Sequence, residues 1–261
     1  MIKLSVLIIT YNEEANIGRC LDSVQAIADE IVVIDSQSQD NTVEICLAKG
    51  ARVAQYPFEN FIQQRNNANA EASHDIVFAL DADEVVSPEL RDSILEIKKN
   101  WKYDAYEINR LNNYCGQWIK HSGWYPEWRL RIFDKRKGKW EGLLIHESLK
   151  MTPTSNIGRL KGHLLHYSYN SITEHVQRFN SYTDFTAQEA FIRKKKSNLF
   201  KMWFNPKLKF FKDYFLKAGF LDGYYGYIIC RASASATFFK YAKLKDLYQQ
   251  EKNKKKTKSP R

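Results

Sequence analysis

The 261-residue chain has little of several things that would commit it to a class. Its four cysteines, Cys20, Cys46, Cys115 and Cys230, stand far apart, with neither metal-ligand spacing nor a short disulfide framework, as expected in a reducing compartment such as the cytosol. No uncharged run reaches the roughly 18 residues of a membrane span, because Arg231 interrupts the apolar stretch from Tyr224 to Phe239. Residues 4–9 are apolar but too few for the core of a secretory signal. No internal repeat is visible. Acidic residues are in deficit, 30 against 40 basic, and the formal charge of +10 asks for an anionic partner: nucleic acid, an anionic membrane surface or a phosphorylated ligand. What is present is a 44% apolar share, ordinary for a globular chain that buries one large core with or without an appendage.

The first 80 residues alternate two periods. Leu4 to Ile9 is short, β-branched and apolar on both faces, the pattern of a central parallel strand covered by helices. Asn12 is a candidate N-cap for a helix using Ile17, Leu21 and Val24. The unit then recurs. Glu30 to Ile34 reads as a second strand, Asn41 with Glu44 as a capping box and Gly50 as the close of that helix. A strand over Arg52 to Tyr56, a helix over Asn60 to Ser73 and a strand over Asp75 to Leu80 follow. Such alternation predicts right-handed βαβ crossovers and an α/β, doubly wound, mostly parallel sheet, whose ligands settle beyond the carboxyl ends of the strands.

Three polar clusters fall at those ends: Thr10 to Glu14, Asp35 to Asp40, and Asp81-Ala82-Asp83-Glu84. The last puts three carboxylates behind an apolar strand, an arrangement that asks for a counter-charge. Asp81 and Asp83 offer hard oxygen ligands suited to Mg2+ or Mn2+ bridging nucleotide phosphates, although an acidic turn capping the next helix would look the same.

In this order, Val6 to Glu14, Ile31 to Ser36, Gln64-Arg65-Asn66 and Leu80 to Glu84 resemble the successive motifs of inverting family 2 glycosyltransferases with the GT-A fold. Tyr125 to Trp128, Arg129 to Phe133, Ile145-His146-Glu147, Leu221-Asp222-Gly223 and Phe239 to Leu244 resemble the branch that includes the lipopolysaccharide core beta-1,4-glucosyltransferases. The resemblance implies a UDP-sugar donor, a lipid-linked saccharide acceptor and a Mn2+ or Mg2+ ion. It implies that Thr10, Tyr11 and Glu13 or Glu14 meet the base and ribose, and that Asp35 accepts from the uracil imide. Arg65 would lie by the base or diphosphate, Asp81 and Ala82 by the nucleotide sugar, and Asp81 and Asp83 on the metal. An inverting transfer also needs a carboxylate to take the acceptor's proton. The family's usual Glu-Asp pair is replaced here by His146-Glu147, making Glu147 the first candidate and Glu127 the second. His166 is the candidate for a late histidine on the metal, or else a hydrogen-bonded core residue.

Past residue 84, Ser87-Pro88 opens a helix using Leu90, Ile94 and Ile97, and Tyr103 to Arg110 and Arg129 to Phe133 read as strands with one wet face. Between them Trp118, His121, Trp124, Tyr125 and Trp128 either stack on acceptor sugar or pack under a loop. The expected organisation is a catalytic domain over 1–170, its nucleotide half ending near 100 and an acceptor half following, a helical region over 171–250, and a disordered basic tail over 251–261. From Ile172 a helix presents Ile172, Val176, Phe179 and Thr183 on one stripe. Residues 199 to 244 mix aromatics with lysines, the composition of helices that lie in the headgroups of anionic bilayers; together with the family resemblance this implies a peripheral place on the cytoplasmic face of a bacterial inner membrane. A helix pair packed on the catalytic domain, or a dimer contact, is the alternative. Two other classes fit less well. A nucleotidyltransferase would carry a Gly-rich phosphate loop where Thr10 to Glu14 has no glycine, and a nucleic-acid binder would show a recognised module instead of lysines gathered after residue 190.

Overall fold

A computed structural model describes residues 1–143 and 146–257, without the side chains of 143, 146, 147 and 255–257. The chain begins with β1 (Leu4–Thr10), α1 (Ile17–Val24), β2 (Glu30–Asp35), α2 (Thr42–Ala48), β3 (Arg52–Gln55), α3 (Phe61–Glu71) and β4 (Ile76–Asp81). β5 (Glu84–Val86), α4 (Pro88–Lys99), β6 (Ala105–Tyr114), β7 (Gln117–Ile119) and β8 (Glu127–Asp134) follow, then β9 (Gly138–Leu143), β10 (His146–Met151) and β11 (Ile157–Tyr169). The rest is helical: α5 (Ile172–Ile192), α6 (Leu199–Phe211), a π-helical turn over Lys212–Leu216, a 3-10 turn over Gly219–Asp222, and α7 (Gly223–Thr257). Two compact units result, one of Met1–Asn112 with Pro126–Ser168, the other of Asn113–Tyr125 with Tyr169–Arg261.

In the first unit the main sheet runs β3-β2-β1-β4-β8-β6-β11-β5, and β9 and β10 form a separate antiparallel pair. β3, β2, β1 and β4 are mutually parallel, while β8 is antiparallel to β4 and β6 and β5 is antiparallel to β11. The chain leaves β1 outward to β2 and β3, then returns to the other side of β1 for β4, so the switch in winding direction falls between β1 and β4. Both faces of β1 are buried. Leu4, Val6 and Ile8 join Ile17, Leu21 and Val24 of α1 and Leu90 and Ile94 of α4. Leu7 joins Val32, Ile34 and Val77 under Ala68 and Ala72 at α3. The period of two along one strand thus serves two helical layers.

Helix starts follow local hydrogen bonding. Ser87 accepts from Leu90 N at 3.3 Å, as the Ser87-Pro88 pair predicts, and Asn60 accepts from Gln63 N at 2.8 Å. Asn12 does not cap α1. It sits at φ 52° and its Oδ1 accepts from Gln39 N at 2.8 Å, tying two loops together, and α1 instead starts after Asn16. Asn41 makes no side-chain cap either, because Asp40 Oδ1 takes Thr42 N at 3.1 Å.

The second unit has two small cores. Tyr114, Ile119 and Ile229 are buried with Trp124, Tyr169 and Tyr225 packed on them, and Ala187, Ala190 and Leu244 form the other. Trp124 is therefore a packing residue here. On α5 the buried residues are His175, Thr183, Thr186, Ala187, Glu189 and Ala190; of the predicted stripe Ile172 and Val176 are exposed, Phe179 is half-buried beside Phe239, and Thr183 is buried. Asp222 is buried and accepts from Lys120 N (3.1 Å), His121 N (3.0 Å) and Ser122 Oγ (2.7 Å), fixing the loop after β7. α7 continues to Thr257, into the stretch whose composition predicts disorder. Among the described residues no helix is long and apolar enough to cross a membrane.

Candidate active site

Strand register brings the first polar clusters together. At the carboxyl end of β1, Ile9 pairs with Asp81 on one side and Thr10 with Asp35 on the other. Thr10 is buried, and its Oγ1 has no hydrogen-bond partner among the described residues. Asp35 is fully buried. Its Oδ1 takes the Ser38 hydroxyl, and its Oδ2 takes Ser38 N at 2.9 Å and the Gln55 amide at 3.1 Å. Tyr11 stands exposed beside them. Glu13 and Glu14 serve the loops: Glu13 accepts from Asn16 Nδ2 at 2.5 Å, and Glu14 accepts from Asn41 Nδ2 at 2.9 Å.

Asp81 lies between two buried guanidiniums, Arg65 at 2.6 Å and Arg131 at 2.8 Å. Burial alone would push its carboxyl up. Arg65, Arg131 and Arg110 outweigh that and hold it well below the usual carboxylate range. Buried Glu84 braces the same turn, with Oε2 accepting from Asp81 N at 3.0 Å and Oε1 meeting Arg131 at 2.6 Å and Arg110 at 3.4 Å. Arg65 also stacks over Trp140, 4.6 Å from guanidinium carbon to ring centroid. The Nε of Arg65, the Nε of Arg131 and the Nε1 of Trp140 are buried donors without a partner among the described residues. Ala82 is buried between the two aspartates. Beneath them Cys20 donates to Asp81 O at 3.7 Å; burial pushes its thiol well up, and the negative field of Glu84, Asp83 and Asp81 pushes it further.

Asp83 turns to a different partner, His166 Nε2, at 3.2 Å. The orientation of that ring follows from a chain of contacts. Asn112 donates through Nδ2 to Glu127 Oε2 at 3.2 Å, so its Oδ1 faces His166 Nδ1 at 2.6 Å and draws the ring proton there. Nε2 then keeps a lone pair in the neutral ring. Ser168 Oγ sits within 2.8 Å of the same Nδ1. A carboxylate and an imidazole whose other nitrogen is held by an amide match the donor chemistry of a divalent cation that draws its remaining ligands from a diphosphate. Among the described residues no group of three or more His, Cys, Asp or Glu gathers as a metal cluster, so Asp83 and His166 stand as a pair.

Of the candidate proton acceptors, Glu127 is clamped: Arg110 meets both its oxygens at 2.9 Å and Arg129 reaches Oε1 at 2.6 Å. Burial raises its pKa, but these contacts win and lower it from the ordinary 4.5 to about 2. Glu147 and His146 open β10, opposite Gly142 and Leu143, and their side chains lie outside the described residues.

The family model for glycosyl transferase family 2 matches residues 5–153 of this chain. An uncharacterized glycosyltransferase of Rickettsia typhi is 32% identical over 263 residues, 97% of this chain and 90% of that protein. The chain belongs to glycosyl transferase family 2. A further relative of this family 2 glycosyltransferase is the lipopolysaccharide core biosynthesis glycosyltransferase LpsC of Rhizobium meliloti, 27% identical over 92% of this chain and 91% of that one. Among solved structures, glucosyl-3-phosphoglycerate synthase of Mycobacterium tuberculosis with Mn2+ and UDP-glucose overlaps 43% of this chain and 44% of that one, at 25% identity and a TM-score of 0.37.

In this α/β glycosyltransferase of the GT-A type, register gathers Thr10, Asp35 and Asp81, while side-chain contacts join Arg65 to Asp81 and His166 to Asp83. Glu127 enters the same network through Asn112. Sequence reasoning missed Arg110, Arg131 and Asn112. Their signal was faint: they stand on strands that alternate polar with apolar residues, in a chain whose β4 runs into three carboxylates in need of counter-charge.

Proposed function

We propose that the chain moves a hexose, glucose first among the choices, from a UDP-sugar to a lipid-linked saccharide of the lipopolysaccharide-core kind, with inversion at the anomeric carbon. The observation that carries the reading is the Asp83–His166 pair, oriented through Asn112, at the carboxyl end of β4 and next to the switch in strand order. The name of the LpsC relative supports the acceptor class.

Asp83 and His166 would hold a divalent cation, and Asp81 would touch it and the ribose. Such an ion offsets charge on the departing diphosphate, with Mn2+ suited to the imidazole and Mg2+ the harder alternative. Asp35 and Thr10 bound the nucleoside side, with Tyr11 and Ala82 against the nucleotide sugar. Arg65, held over Trp140, directs its buried Nε and its charge toward the diphosphate. Glu147 takes the proton from the acceptor hydroxyl as that oxygen attacks the anomeric carbon and the bond to the UDP oxygen breaks. Glu127, committed to two arginines and an amide, is the weaker base of the two.

The test is release of the matching nucleotide (UDP, GDP or CMP) by purified protein from a panel of UDP-, GDP- and CMP-sugars, alongside UDP binding with and without Mn2+. Tight UDP binding that depends on Mn2+, with turnover of one UDP-hexose, is the expected result. No UDP binding in the presence of Mn2+ would overturn the reading.

A further inference from the structure

Helix α6 differs from the other α-helices: none of its 13 residues is buried. Trp203 is 61% exposed, and Leu216 in the following π-helical turn is 71% exposed. Lysines are threaded through these aromatics. From residue 199 to 217 stand Lys201, Lys207, Lys209, Lys212 and Lys217 against the single carboxylate Asp213, which Lys209 engages at 2.6 Å.

Between α6 and α7 runs a groove of about 620 Å3, whose apolar lining includes Trp203, Phe210, Phe238 and Phe239 and whose cations are Lys207 and Arg231. Lys207 Nζ lies 3.5 Å from the Trp203 ring centroid, and the Arg231 guanidinium 5.7 Å from that of Phe210. Among the described residues no carboxylate pairs with either. Both cations are exposed at the groove and have no internal counter-ion, which leaves them available to an external anion such as a phosphate. The walls around them suit apolar chains attached to that anion. Among the described residues no helix is long and apolar enough to cross a bilayer; exposed aromatics threaded with lysines suit the headgroup layer instead, lysines toward phosphates and rings beneath.

We propose that the α6–α7 face docks on an anionic bilayer, seating a phospholipid phosphate on Lys207 and Arg231 with acyl chain along the aromatic groove. A second copy of the chain is disfavoured as the occupant, because a self-complementary contact would set these lysines against one another. The proposal concerns the second unit alone and does not depend on the transferase reading.

The experiment is vesicle co-sedimentation of the full chain, comparing phosphatidylcholine alone with phosphatidylcholine containing phosphatidylglycerol. Wild type is expected to partition onto the anionic vesicles and to be released by high salt. The double variant Lys207→Gln/Arg231→Gln should bind them roughly thirtyfold more weakly, from about 1 kcal/mol per basic residue near the surface. Trp203→Ser should weaken partition while leaving the salt dependence in place. Circular dichroism spectra matching wild type guard against misfolding, both altered cations being in the open groove. Equal partition onto neutral vesicles, unchanged binding by the double variant, or a solution dimer abolished by Trp203→Ser would each overturn the proposal.

Discussion

At Asp81 the negative charge is already answered by Arg65 and Arg131, whereas Asp83 faces an imidazole nitrogen with a lone pair to offer. The two aspartates of one turn should therefore fail differently. Asp83→Ala is expected to lower kcat/KM by about a thousandfold, the several kcal/mol a cation contributes to charge stabilisation, with melting temperature and far-UV circular dichroism unchanged. Near-normal turnover would remove the metal from the mechanism. Asp81→Asn instead leaves two buried guanidiniums short of a partner and should destabilise the fold by about 3–5 kcal/mol, read from urea unfolding. Glu127 is distinguished from Glu147 in the same way. If Glu127 sets the amide of Asn112 and through it the tautomer of His166, Glu127→Gln should weaken Mn2+ binding by about 10–100-fold in calorimetry. Glu147→Gln should leave Mn2+ affinity alone and lower kcat by about 10²–10⁴-fold. A reversed pattern would exchange their roles.

The strand that delivers His166 is pinned three residues earlier. Ser87 Oγ, while capping α4, also accepts from His163 N at 3.0 Å, and Ser87 N donates to His163 O at 3.1 Å. Gly162 stands at φ +86°, where an added Cβ would come within 2.3 Å of Leu90 N. Gly162→Ala should therefore destabilise by more than about 1 kcal/mol, and Ser87→Ala by about 1–2 kcal/mol, in chemical unfolding, and both should loosen Mn2+ binding through β11. Unchanged Mn2+ affinity in a destabilised Ser87→Ala would separate β11 from the site. Gly162 illustrates what one chain of letters conceals, since its need for open space comes from the backbone of Leu90, 72 residues upstream. The parallel strands were legible because Leu4 to Ile8, Ile31 to Ile34 and Val77 to Leu80 are apolar on both faces, a pattern that burial between two layers alone explains. The cap was legible at Ser87, where the partner lies three residues on, and illegible at Asn12, whose side chain prefers Gln39 across a loop. In the site, Asp81 and Asp83 stood out by residue type, and His166 through the family resemblance. Arg131 did not, because its burial beside Glu84 depends on antiparallel strands that local periodicity cannot order.

Across the whole molecule, charge is balanced unevenly, and acid should expose this. Burial opposes ionisation of Asp29, Glu30 and Glu127, yet hydrogen bonds and cations overcome it and bring each to about 2, from 3.8 for Asp29 and 4.5 for the two glutamates. Asp29 is held by buried Lys98 at 2.6 Å, and Glu30 by Ser5 at 2.6 Å and Ser73 N at 2.9 Å. A carboxyl depressed in the fold binds its proton less readily there than in the unfolded chain. Its stabilisation is complete above the unfolded value and is lost as pH falls from 4.5 toward about 2. His175 contributes with the same sign from a higher starting point. Burial lowers its pKa below 6.5, so acid begins to favour the unfolded chain already beneath that value. The three carboxylates belong to the first unit and His175 to the second, so the two units carry different acid dependences. Hydrogen exchange followed peptide by peptide should show protection in α5 falling first below about pH 6.5, with β1, β2 and β8 holding until about pH 4.5 and then losing protection steeply. Glu127→Gln should flatten part of the steep limb and leave the α5 response in place. Simultaneous loss in both units from neutral pH downward would mean that net charge, already +10 and rising as carboxylates protonate, governs acid unfolding in place of these particular pairs.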